Sequence, residues 1–235
     1  MNELRYAIII PVQNEEEVLG ATLDELQKFL PAHSKISVGL NACEDRSREI
    51  CIAKGIVFGE TSESGYGWGC MAAIKAVEAE FPPTAYLFFA GDGANDPRDL
   101  PALIQAFELG EANFIIGIRR FDLKNWLDEF GRALPNLILG LVCRALGGQF
   151  FHDLGPLRLI ERDLFQKMQL REMVWGWTIE AQLLAAKHGE KIDTREVIER
   201  PRLAGQQKVS GVSMARSARV GWEIGKAAIR TKLRR

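Results

Sequence analysis

Through its first 120 residues the chain alternates short uninterrupted apolar blocks with longer segments in which apolar residues recur every third or fourth position. Residues 5–12 (RYAIIIPV) have the composition of a strand buried on both faces. Residues 15–30 follow with Val18, Leu19, Leu23, Leu26 and Leu30 at helical spacing. The same logic predicts strands over 36–40, 56–58, 113–118 and from Tyr86, and helices over 44–54, 65–80 and 101–109. Strands alternating with helices of this length imply an α/β fold: a mostly parallel sheet with helices on both faces.

The pattern changes after Arg119. Residues 121–132 are charged and aromatic, and 133–146 form an apolar helix. HDLGPLRL (152–159) reads as a turn feeding a strand, 177–188 as a helix and 191–198 as a strand. Residues 200–211 (RPRLAGQQKVSG) have the composition of a mobile basic flap. The last segment, 212–235, reads as a helix whose apolar stripe runs Ala218, Trp222, Gly225, Ile229, Leu233, with arginines and lysines over much of the remainder. The expected organisation is one domain over 1–211 and a basic amphipathic helix over 212–235.

Charge changes this picture in one place. The formal net charge is −1, yet 212–235 holds seven cations and one anion, or +6, which leaves −7 for the rest. That tail is where an anionic partner would bind. Hydrophobic content of 47% and charged content of 26% are ordinary for a globular protein. The four cysteines are scattered without C-x-x-C spacing, which argues against zinc and a disulfide framework and for a reducing compartment. Glu3 precedes the first apolar run and Gln13 and Asn14 break it, so no signal peptide is expected, and no stretch approaches the ~20 apolar residues of a spanning helix.

The richest chemistry lies in 86–97, YLFFAGDGANDP. A buried strand that stops at small residues brings backbone close to a ligand and leaves carboxylates at its C-terminal end, where ligands sit in open α/β sheets. Asp92, with Asn95 and Asp96 after it, suits a hard cation such as Mg2+ or Mn2+, or else is an Asp-Pro turn with a capping carboxylate. After the first strand, PVQNEE puts an amide and carboxylates at a helix start. Asn14 serves there either as an N-cap or toward a nucleotide, and Asn41 ends the second strand in the equivalent place. GYGWG (65–69) lacks the Lys-Ser or Lys-Thr of a Walker loop and is not G-x-G-x-x-G, so it opens a helix near a ligand or is a structural turn. Asp153 forms a structural pair with Arg158 or belongs to a site, and Trp175 and Trp177 beside Glu180 are core or a sugar-stacking wall. Arg119, Arg202 and Lys208 are surface charges or phosphate ligands.

In order along the chain, these segments resemble the family 2 glycosyltransferases of the GT-A fold, and among them the polyprenyl-phosphate (dolichol-phosphate mannose synthase-like) branch. IIIPVQNEE resembles P-x-x-N-E-E, LNACEDRSREI the second-strand segment, FFAGDGANDP the D-A-D-G-x-x-D-P metal site and IIGIRR the G-S-R segment. HDLGPLRLI resembles D-x-G-P-F-R, and WGWTIEAQ with RPRLAGQQKVSG resembles the G-W-x-x-E helix and basic loop. The resemblance implies a Rossmann-like three-layer sandwich that binds a nucleotide-sugar donor. Pro11, Gln13, Asn14, Glu15 and Asn41 would surround base and ribose, Asp92 and Asp96 would hold Mg2+ or Mn2+, and Arg119, Arg202 and Lys208 would neutralise the leaving diphosphate. Asp153 would sit on the acceptor side, as general base toward a hydroxyl or as an orienting group toward a phosphate.

The sequence departs from that pattern where Ala90 replaces the first aspartate of Asp-x-Asp, Leu40-Asn41 replaces two acidic residues and Gln207 replaces a serine. The expected activity is inverting, metal-dependent transfer of a sugar to a polyprenyl phosphate or another lipid-linked or small acceptor. The rival is a GT-A protein that binds nucleotide sugar or a membrane partner without turnover. A sugar nucleotidyltransferase would need a G-x-G-x-R loop, which PVQNEE is not. The expected location is cytoplasmic, with the basic tail on the inner face of an anionic membrane. Nucleic acid is not an expected partner, because the basic residues are not interleaved with a stacking platform.

Overall fold

The computed structural model describes residues 4–120, 153–201 and 214–234, together with 140, 141, 144 and 145. The predicted element over 121–132, most of the helix over 133–146, and the basic flap from Arg202 onward, with Lys208, lie outside the described residues.

Seven strands form one sheet: β1 (Tyr6–Val12), β2 (Ser34–Asn41), β3 (Val57–Thr61), β4 (Ala85–Phe88), β5 (Phe114–Arg119), β6 (Arg158–Glu161) and β7 (Ile192–Val197). Their order is β3-β2-β1-β4-β6-β5-β7. β6 runs antiparallel to both neighbours, and every other pairing is parallel. Helices α1 (Leu19–Gln27), α2 (Ser47–Ala53) and α4 (Leu100–Glu108) cover one face; α3 (Tyr66–Glu78), α5 (Arg162–Met168), α6 (Trp177–Lys187) and α7 (Met214–Leu233) cover the other.

β1 shows why its apolar run is unbroken. Tyr6, Ile8, Ile10 and Val12 pack under α1 and α4, while Ala7 and Ile9 pack under α3. A strand covered on both faces has no place for alternating polar residues. Tyr86, Phe88, Phe165 and Trp177 form an aromatic cluster beneath α5 and α6, so Trp177 belongs to the core.

Most predicted boundaries shift by a few residues, but two differences have physical causes. The first helix begins at Leu19 and not at Glu15, and Asn14 is no N-cap: it has left-handed backbone with φ 54°. Tertiary hydrogen bonds anchor the intervening turn. The Glu15 amide donates to Ser47 Oγ (3.1 Å), the Glu16 amide donates to Asp45 Oδ2 (2.8 Å), and Glu16 Oε2 accepts from the Arg46 amide (3.0 Å). The second difference is α5, which the sequence reading passed over. It buries Leu164, Phe165 and Met168 at a spacing too short to stand out as periodicity.

Candidate functional site

Parallel β1, β2, β4, β5 and β7 end at one edge of the sheet, and antiparallel β6 begins there. The strand order turns at β1, with β2 on one side and β4 on the other, so the crevice beyond this edge is the switch point of an open α/β sheet. Pro11, Gln13, Asn14, Asn41, Asp92, Arg119 and Asp153 all gather at this edge.

Neutral amides build the β1–β2 corner. Buried Asn41 donates from Nδ2 to the Val12 carbonyl (2.7 Å) and accepts at Oδ1 from the Gly65 amide (3.2 Å), tying two strand ends to the start of α3. Gln13 Nε2 donates to Ser64 Oγ (2.8 Å), and Asn14 Oδ1 accepts from the Glu44 amide (2.7 Å). Pro11 lies against Gly69, where an added Cβ would stand 2.9 Å from the proline's own Cβ. The GYGWG segment is a close-packed turn: the Gly67 amide donates to the Met173 carbonyl (2.8 Å), and the Gly65 amide is taken by Asn41. These amides are committed within the protein, which favours the structural role for the glycines.

The extension of β4 folds over the end of β1, where a Cβ on Gly91 would come 2.8 Å from Val12 Cγ2. Asn95 Oδ1 accepts from the Ala90 amide (2.9 Å), and Asp92 Oδ1 accepts from the Ala94 amide (3.0 Å) around left-handed Gly93. The two carboxylates expected to share a metal differ sharply. Asp92 is half-buried. Asp96 is wholly buried and gripped by Arg98, with Nη2 to Oδ2 at 2.5 Å and Nε to Oδ1 at 3.0 Å, while its Oδ1 caps the Arg98 amide at the start of a 3-10 turn. The hydrogen bonds of Arg98 hold the Asp96 carboxyl below its usual pKa. Among the described residues no cluster of three or more His, Cys, Asp or Glu side chains could enclose a metal.

The opposite side of the edge is built from charge. Arg119, ending β5, clamps Asp153 through Nη2 to Oδ1 (2.7 Å) and Nε to Oδ2 (2.8 Å), and its Nη1 reaches Glu199 Oε1 (3.2 Å). Burial pushes the Asp153 carboxyl up, but the hydrogen bonds and charge of Arg119 outweigh it and leave the pKa below the ordinary value. Burial likewise pulls Arg119 down, and its carboxylate partners more than reverse that.

The partner of Asp153 is therefore Arg119 and not Arg158. The Arg158 side chain is buried and donates to the carbonyls of Gly155 (2.7 Å) and Thr178 (2.9 Å), so it braces the turn before β6. Gly155 lets that turn press on β5, since a Cβ there would lie 2.4 Å from the Gly117 carbonyl oxygen.

Two site residues escaped the sequence reading. Glu199 shares Arg119 with Asp153 and forms an antiparallel bridge to Asn95, linking the charged cluster to the Asp92 loop. Buried Gln182 donates to the Asp153 carbonyl (3.0 Å). Glu199 sits among other charges in REVIERPR, and nothing in the sequence marks its distance from Arg119. Glu180 is architectural: Oε2 accepts from the amides of Arg171 and Glu172 (both 2.8 Å).

A half-buried carboxylate opposite a clamped guanidinium suits a polyanionic ligand accompanied by a cation. Uncharacterized glycosyltransferases of Mycobacterium bovis and Mycobacterium tuberculosis are each 27% identical over 207 residues, covering 87% of this chain and 89% of theirs. An uncharacterized protein of Methanocaldococcus jannaschii is 26% identical over 198 residues, covering 82% of this chain and 80% of its own. Among solved structures, glucosyl-3-phosphoglycerate synthase from Mycobacterium tuberculosis, in complex with Mn2+, uridine diphosphate and glucosyl-3-phosphoglycerate, superposes with a TM-score of 0.73 at 14% identity, covering 97% of this chain and 80% of that one. The same enzyme with uridine diphosphate alone gives 0.71 at 13% identity, with the same coverage. At such identities the likeness establishes the fold. The model of glycosyl transferase family 2 matches residues 7–169, which include β1, the Asp92 loop, Arg119 and Asp153. With that match spanning more than half its length, the chain belongs to glycosyl transferase family 2.

Proposed function

We propose that this glycosyltransferase moves a sugar from a nucleotide-sugar donor to an acceptor whose nucleophilic oxygen is already anionic. The phosphate of a polyprenyl phosphate, or of another lipid-linked or small molecule, has that chemistry. The observation that carries the reading is the Asp153 clamp. A carboxylate gripped at both oxygens by Arg119 and held below its ordinary pKa is a weak proton acceptor. An acceptor that needs no deprotonation removes the need for one. The solved glucosyl-3-phosphoglycerate synthase complexes, which contain Mn2+, uridine-diphosphate-glucose and phosphoglyceric acid, support a nucleotide-sugar donor, a divalent cation and a phosphate-bearing acceptor.

Pro11, Gln13, Asn14, Glu15 and Asn41 form the corner for base and ribose. Asp92 faces the diphosphate. Mg2+ or Mn2+ fits there, because such ions take one or two protein carboxylates together with substrate phosphates and do not need an all-protein cage. When bound it neutralises charge on the departing nucleoside diphosphate. Asp96 is the weaker candidate ligand, since breaking its contacts with Arg98 would be required. Arg119, with Arg202 and Lys208, would share the negative charge of the leaving group. The acceptor oxygen attacks the anomeric carbon as the bond to the diphosphate oxygen breaks, the electron pair leaves with the diphosphate, and the anomeric configuration inverts. Asp153 acts by positioning Arg119.

The test is a panel of nucleotide-sugars scored by thermal shift with and without manganese, followed by transfer assays on a phosphomonoester acceptor and its alcohol. Metal-dependent stabilisation by one donor and transfer only to the phosphomonoester are expected. Transfer to the alcohol alone would overturn the assignment of the acceptor. Donor binding with no transfer to any acceptor would favour the binding-only alternative, in which Ala90 has cost the site its activity.

A further inference from the structure

Along its described C-terminal half, helix α7 buries small side chains and exposes three large apolar ones. Ala227, Ala228 and Thr231 are buried, and Ala227 lies so close to Gly176 that an added Cβ there would meet it at 2.5 Å. Trp222, Ile229 and Leu233 are 69%, 52% and 75% exposed. At ~100° per residue these three fall within about 40° of arc on the face opposite the buried one. Arg219 and Lys226 flank that stripe on one side and Lys232 on the other.

Ion pairs fix which face points outward. Arg230 makes two hydrogen bonds to Glu172 (2.7 and 2.8 Å), and Arg234 Nη1 reaches Glu180 Oε1 (3.0 Å). Lys187 Nζ donates to the Arg234 carbonyl (2.6 Å). The loop between α5 and α6, to which Arg230 ties the helix through Glu172, also carries Val174, which lies near Trp68 of α3. Exposed Val174 and Trp68 both stand within 3.3 Å of where a Cβ on Gly65 would lie, beside the amide that Asn41 holds at the crevice.

We propose that the Trp222–Ile229–Leu233 face of α7 docks on an anionic lipid bilayer, lying in the headgroup region and holding the mouth of the crevice near the membrane surface. Charge selects this occupant. Segment 212–235 carries +6, and after the two body carboxylates that pair with it, Glu172 and Glu180, are subtracted, +4 remains (6 − 2). Basic residues beside an exposed aromatic and aliphatic stripe match an interfacial helix on anionic lipid. A second copy of the chain would bring the same cationic face against itself. Among the described residues no helix is long and apolar enough to cross a membrane, so α7 would lie on the bilayer and not span it.

The experiment is flotation of the full chain with vesicles of phosphatidylcholine alone or mixed with phosphatidylglycerol. It needs neither donor nor acceptor, so its outcome is separate from that of the transfer assays. The full chain should float with the mixed vesicles, not with phosphatidylcholine alone, and should be released at about 0.5 M salt. Trp222→Asp and Leu233→Asp together should lower partitioning on the order of tenfold or more, with the unfolding temperature unchanged because both side chains face solvent. Equal flotation with both vesicle types, no flotation, or flotation indifferent to the substitutions would overturn the proposal. So would a dimer, seen by sedimentation velocity, that the substitutions dissolve while no vesicle binding occurs.

Discussion

The two sides of the crevice are built from different materials. On the β1–β2 side, neutral amides hold the strand ends: Asn41 bridges Val12 and Gly65, Asn14 takes the Glu44 amide, and Gln13 meets Ser64. On the β5–β6 side, Arg119 is shared between Asp153 and Glu199. Amide hydrogen bonds do not titrate in the physiological range, so the first side suits an uncharged ligand such as the base and ribose proposed above. A paired guanidinium can exchange one anion for another, so the second side is suited to an arriving phosphate and is the half that pH and salt should affect. Asp92 stands between them on the loop that Asn95 and Glu199 bridge.

This contrast can be broken at several points. The largest effect is expected from Asp92→Ala, which removes the half-buried carboxylate proposed to face the diphosphate. Transfer should fall by about 10²–10³-fold while the unfolding midpoint in urea stays close to wild type. Retained transfer in the presence of manganese would remove Asp92 from the chemistry.

Asp153→Ala comes next. It leaves the half-buried Arg119 with Glu199 as its remaining carboxylate partner at the clamp, at a cost of about 3 kcal/mol in urea unfolding. Replacing both members by apolar residues of similar volume removes the uncompensated guanidinium but takes it from Glu199 as well, so the double change should not recover the full cost. On the amide side, Asn41→Ala orphans the Gly65 amide and leaves the Val12 carbonyl with Cys43 Sγ as its side-chain donor, at a cost of about 1–3 kcal/mol. That cost should be the same at pH 4 and pH 7, which separates the two sides experimentally.

The smallest effect is the acid limb. The folded pKa of Asp153 lies below its unfolded value of about 3.9, so its pair contributes full stability above that pH and loses it as pH falls toward the folded value. Asp96, held by Arg98, has the same sign. Unfolding temperature should therefore decline as pH drops below about 4, and Asp153→Asn should flatten that decline without abolishing it. A variant with the wild-type slope would show that the Arg119 clamp is not what responds to acid.

How much of this was legible in advance depends on the range of the interaction. The strands and most helices follow from local hydrophobic pattern, since the face a residue buries is set by its neighbours three or four positions away, or by an unbroken apolar run in a doubly covered strand. Asp92 was equally visible, because small residues and carboxylates directly after a buried strand are a local signal. The true start of α1 was not: Ser47, Asp45 and Arg46 hold Glu15 and Glu16 from more than two dozen positions along the chain. The sequence left Asp153 either paired with Arg158, five positions away, or free for a site, but Arg158 is buried among carbonyls and the carboxylate meets Arg119.

By itself, then, the sequence determined the alternation of strands and helices, the sheet edge at which polar residues collect, the family, and the cationic amphipathic character of the final helix. Tertiary structure alone decided which charges pair, that Glu199 and Gln182 join the Asp153 cluster, and that α7 turns Ala227 and Ala228 inward and Trp222 outward. The division has one physical reason. Burial pattern is carried by short periods along the chain. Ion pairs and helix facing are instead chosen by packing between elements far apart in sequence, where a single close approach, such as Ala227 on Gly176, settles the orientation of a whole helix.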